Sequence, residues 1–90
     1  MQYPYAICSC SVTWTQPDAM NYTNPISYHK SLRTAAIAEH KIQRRCIRVN
    51  GKGSWKNVKI LRHVKPATFE ELTTEEWEEL ADKQYHLWIK

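Results

Sequence analysis

Cys46–Leu61 reads CIRVNGKGSWKNVKIL, and the reading of those residues decides the fold. Two short runs with β-branched residues flank Asn50-Gly51, a dipeptide suited to a turn whose central residues need positive φ. The stretch therefore predicts a β-hairpin, with Gly53 loosening the loop. Strand alternation places Ile47, Val49, Val58 and Ile60 on the core face. It places Cys46, Arg48, Trp55, Asn57, Lys59 and Leu61 on the other. Pro66 ends the hairpin, because it cannot donate to a further ladder bond.

Upstream, Ser31 is placed to cap a helix running to about Arg44. Leu32, Ala35, Ala38 and Ile42 share one stripe of that helix; Lys30, Arg33, Ile37, Lys41 and Arg44 share the opposite one. The outer face is basic, and the alanines allow close approach to a sheet. Before the helix, Ala6–Trp14 (AICSCSVTW) alternates as a half-buried strand, with Cys8, Cys10, Val12 and Trp14 on one side. The segment TQPDAMNYTNPISYHK, residues 15–30, is expected to be a loop, because Pro17 and Pro25 interrupt it. It carries Tyr22 and Tyr28 as aromatics that could dock on the body or a partner.

Downstream, Thr68–Leu72 reads as a short turn. Thr73 and Glu76 form the T-x-x-E pattern of a capping box, and the helix TTEEWEELADK follows with Trp77, Leu80 and Ala81 on one face. Its early glutamates suit the positive end of the helix dipole. YHLWI, residues 85–89, reads as a last strand or an apolar tail docked on the core. Together these elements predict a single α+β domain, residues 1–90, with a small antiparallel sheet and two helices on one face. The expected chain order is β-α-β-β-α-(β), the ferredoxin-like order.

Composition bounds the rest. Ninety residues, 42% of them apolar, support one core near the lower end of what folds unaided. No apolar run approaches the ~18 residues a membrane helix needs, so no membrane partner is expected. The N-terminus, MQYPYAICSC, lacks a basic segment before an apolar stretch, and the cysteine count is odd. Both features predict an intracellular, cytoplasmic protein.

Charge is the main functional signal. Residues 1–29 carry Asp18 alone; residues 30–65 carry eleven Lys or Arg against Glu39; residues 66–90 carry seven acids against Lys83 and Lys90. Such asymmetry points to an anionic partner. Arg33, Lys41, Arg44, Arg45, Arg48, Lys52, Lys56 and Lys59 are the candidate contacts, with Trp55 as an aromatic anchor. Cations neutralise phosphates and flat rings stack on bases, so the pattern fits nucleic acid or a nucleic-acid-bearing complex. KGSWKNVKI has one aromatic where an RNA-recognition motif expects several, which argues against that mode of reading. Trp77 and Trp88 read as core anchors, while Trp14 and Trp55 are the better candidates for exposed contacts.

Cys8 and Cys10 would point to the same side of a strand, but two thiolates do not make a zinc site. Cys46 and one of His29, His40, His63 or His86 would have to complete it, and no spacing supports that. The cysteines read as small buried apolar residues. No phosphate-cradling glycine loop, HExxH, GxSxG or paired-carboxylate pattern is present, so no catalytic residue, metal or cofactor is assigned. The glutamates of residues 70–79 read as a solvated helix face, or as a surface that pairs with the basic segment of the same chain or of a second copy.

In size and layout, SLRTAAIAEHKIQRR followed by CIRVNGKGSWKNVKIL resembles small phage-encoded inhibitor proteins, anti-CRISPR proteins among them. The resemblance implies a non-enzymatic protein that binds a host nucleoprotein machine and blocks its nucleic-acid path. The alternatives are a direct RNA- or DNA-binding domain and a homo-oligomeric regulatory module, whose partner would be a second copy.

Overall fold

The computed structural model describes residues 3–13, 16–66 and 68–89, with side chains outside 10–23. The elements are β1 (Tyr5–Thr13), β2 (Gln16–His29), α1 (Leu32–Asn50), β3 (Val58–Lys65), β4 (Thr68–Glu70) and α2 (Thr74–Trp88). The four strands form one sheet in the order β2-β1-β3-β4, and every neighbouring pair is antiparallel. The protein is thus α+β. The order β-α-β-β-α is present in β1, α1, β3, β4 and α2, with β2 inserted as an additional edge strand.

That edge strand corrects the expected loop over residues 15–30. Its length exceeds that of β1, and three register shifts absorb the excess. Pro25 lies opposite Cys8 within the pairing. Proline cannot donate to a ladder, but an edge strand has one side without a partner strand, so the residue is tolerated there. Tyr28 therefore stands on a strand, opposite Ala6.

The expected hairpin is also corrected. Cys46–Asn50 continues α1, and only the second half of the stretch is a strand. Ser31 begins the helix as expected: its Oγ accepts from the Thr34 N–H at 3.2 Å, and Thr34 Oγ1 reciprocates toward the Ser31 N–H. The helix ends at Gly51, with φ 98° and ψ 171°, whose N–H donates to the Ile47 carbonyl at 2.7 Å. Asn-Gly is a helix stop as well as a hairpin turn. The buried stripe of Leu32, Ala35, Ala36 and Gln43 continues to half-buried Cys46 at helical spacing, which favours the stop. Val49, assigned to the core by strand alternation, is 71% exposed on the helix. Cys46 stands on α1 and not on a sheet face.

Thr68–Glu70 is a strand where a turn was expected. YHLWI, expected as a strand or tail, completes α2 as far as Trp88. The Thr73–Glu76 capping box is present.

The main core lies between the sheet and both helices. Ile7 and Ile60 meet Leu32, Ala35 and Ala36 of α1, Leu80 of α2 and Leu72 before it. Ala6, Cys8 and Leu61 form a smaller cluster with Phe69 on the opposite sheet face. The strand parity expected for Ile7, Cys8, Val58, Ile60 and Leu61 holds in these two clusters.

Candidate anion-binding face

A helix rises 1.5 Å per residue, so Arg33 and Arg48 stand ~22 Å apart along α1. Between them, Lys41, Arg44 and Arg45 are exposed on the side away from the core. Ile37, Lys41, Arg44 and Arg48 recur at steps of three and four and, with His40, line an open groove of about 800 Å³, with Trp88 of α2 at its edge. Arg33 lies in an adjoining depression with Asp82, Lys83 and His86. Among the described residues, none of Arg33, Lys41, Arg44, Arg45 and Arg48 forms an ion pair with a carboxylate.

The loop after α1 adds exposed Lys52, Lys56 and Trp55. It is fastened by Gln43, whose buried side chain bonds both backbone groups of Lys56. Trp55 is 56% exposed, and its ring lies 5.1 Å from that of Trp88, centroid to centroid. Trp88 in turn meets His40 edge to face at 4.3 Å. Burial, and then the charge of Arg44, lowers the His40 pKa, so the imidazole favours its neutral form. The positive charge of the groove therefore comes from Lys and Arg.

Lys59 stands elsewhere. It forms an ion pair with Glu71 and lies over the Trp77 ring at 5.6 Å. Arg62, the other central cation of β3, is paired with Glu76. Glu76 also accepts from the Tyr5 hydroxyl at 2.7 Å and the Thr73 N–H at 3.0 Å. Burial opposes the Glu76 charge, but the Thr73 backbone, Arg62 and Tyr5 outweigh it and hold the carboxyl at about 2. The Tyr5 phenol is pushed up to about 12, by burial first and by the bond to Glu76 next. Two glutamates of the acidic end are thus bound to the strand cations of the same chain. The reading of that end as a solvated helix face fails at Glu76.

Ile37 stands on the basic stripe where the sequence placed it, whereas Trp88 and His40 are parts of this face that sequence reading missed. Trp88, taken for a core anchor, is 39% exposed, and Trp77 is 38% exposed. Once α1 is extended to Asn50, the spacing 37-40-41-44-48 identifies the stripe. Trp88 had no such signal, because it joins the groove only through the packing of α2 on α1. Trp14 lies outside the described residues, as does the side chain of Cys10. Cys8 is fully buried, and burial raises its thiol pKa. Among the described residues no three of His, Cys, Asp or Glu converge as a metal site would need. No described helix is long and apolar enough to cross a membrane.

Compared with known proteins, the chain matches no family model, no curated protein and no solved structure.

Proposed function

We propose that the protein is a small non-enzymatic binding domain whose α1 face docks on a nucleic-acid-handling complex and blocks its nucleic-acid path. This is the mode of action of a phage-type inhibitor. The observation that carries the reading is the division of charge. The central cations of β3, Lys59 and Arg62, are neutralised by Glu71 and Glu76, whereas the α1 cations form no ion pair with a carboxylate among the described residues. Unpaired cations on one rigid helix raise the local potential and steer anionic partners toward it. The pairing of Glu71 and Glu76 within the chain also removes two acids from any basic–acidic contact between copies, which favours a foreign partner over a homo-oligomer.

The test is a pull-down from host lysate, with and without nuclease, using wild type and the double variant Arg44→Glu/Arg48→Glu. A nucleoprotein complex retained by the wild type and lost by the variant supports the reading. Equal recovery by both would overturn it.

A further inference from the structure

Trp55 and Trp88 stand beside the α1 groove, and its cations run along it. We propose that the groove takes single-stranded nucleic acid, with a base stacking on the Trp55–Trp88 pair while Arg44 and Arg48 hold neighbouring phosphates. The inference rests on α1 being the binding face, and it names what that face grips: the exposed strand of the nucleoprotein partner.

The ring geometry favours a base. The two indoles meet at 5.1 Å with planes inclined by 59°, so they form an angled pair and not a closed stack. Both keep a large part of their surface in water. Trp88 is held by His40, and Trp55 follows α1 because the adjacent Lys56 is bonded to Gln43 on both backbone groups. The pair is therefore positioned before a ligand arrives, which lowers the ordering cost of binding.

The charges favour phosphate. Arg44 and Arg48 are one turn apart, ~6 Å along the axis, and Lys41 lies one turn before Arg44 on the same side. Backbone neutralisation by cations combined with base stacking on aromatics is how single strands are held without sequence reading. A duplex hides its base faces and would use only the cations. An acidic protein surface would also use the cations and leave both indoles in water. A single strand uses both features.

The experiment titrates the purified protein into a labelled single strand of about 15 nucleotides, near the upper end of known site sizes, and into the blunt duplex of the same sequence. The single strand is expected to bind at least about tenfold more tightly. Trp55→Ala and Trp55→Leu should each weaken single-strand binding about tenfold, the range expected for one stacked base, and leave duplex binding unchanged. Trp55→Phe should keep most of the affinity. Trp55 is exposed on a loop, so these variants should melt with the wild type. Equal affinity for both nucleic acids, with Trp55→Ala neutral, would overturn the stacking proposal and leave α1 as an anionic docking face. Binding that survives Arg44→Glu/Arg48→Glu would overturn the face itself. If neither nucleic acid binds while a nuclease-resistant protein complex is still captured, the ligand is protein and the proposal fails.

Discussion

The side chain of Gln43 bonds both backbone groups of Lys56: its Nε2 donates to the carbonyl at 2.9 Å, and its Oε1 accepts from the N–H at 2.8 Å. An amide on the buried stripe of a helix would be costly without partners. Here it copies a strand-like pair of bonds and fixes the chain that returns from Gly51 to β3. Gln43→Ala should remove both bonds and cost about 1–3 kcal/mol. The denaturant midpoint should fall with an unchanged m-value, and amides of residues 52–57 should exchange faster. Unchanged exchange there would show that the loop is held by other contacts.

The Gln43 contact also shows where the sequence could be read and where it could not. The α+β class, β1, β3 and both helix N-termini follow from local signals: alternation, Ser31 and Thr73 caps, and the stripe of Leu32, Ala35 and Ile42. Three segments depend on tertiary context. Gln16–His29 becomes a strand only because β1 offers an edge that accepts prolines. Cys46–Asn50 has both a strand-like composition and a helical spacing, and the core behind α1 decides between them. YHLWI is helical because Leu87 finds the core one turn below Gln84. The cations of the candidate face were legible as charge, but their division between α1 and β3 required knowing that Glu71 and Glu76 reach Lys59 and Arg62.

Glu76 should govern stability in acid. Its folded pKa, about 2, lies below the ordinary 4.5. The stabilisation is therefore fully present above pH 4.5 and lost as pH falls toward 2. Glu76→Gln removes a charge-assisted bond to Arg62 and should cost about 2 kcal/mol at pH 7. Urea midpoints at descending pH should show the wild type converging on the variant below pH 4.5. A constant gap between the two would exclude Glu76 as the titrating group.

Glu39 should act in the opposite direction. It lies on α1, accepts from the Gln84 Nε2 of α2 at 2.5 Å, and burial raises its pKa more than that bond lowers it. A raised acid favours the folded state when protonated, so its contribution is present below the unfolded value and is lost as pH rises through the folded one. Glu39→Gln keeps a hydrogen-bonding partner for Gln84 without the buried charge. It should raise the melting midpoint at pH 7 and lose that advantage near pH 4. A lower midpoint at pH 7 would mean that the ionised carboxylate is stabilised by its surroundings.

Charge reversal should separate the cations of α1 from those of β3. Lys59 is engaged by Glu71 and lies over Trp77. Lys59→Glu therefore places like charges together and should cost up to about 1 kcal/mol, the scale of a partly exposed pair, with little loss of partner affinity. Arg44→Glu/Arg48→Glu breaks no ion pair among the described residues. Folding stability should change by no more than about 0.5 kcal/mol per position, while partner affinity falls at least tenfold and its salt dependence flattens. Affinity measured at two ionic strengths, alongside thermal melts, checks both halves. If Lys59→Glu abolishes binding as fully as the α1 reversal, the binding face extends across β3, and the pairing of Lys59 with Glu71 must open when the partner docks.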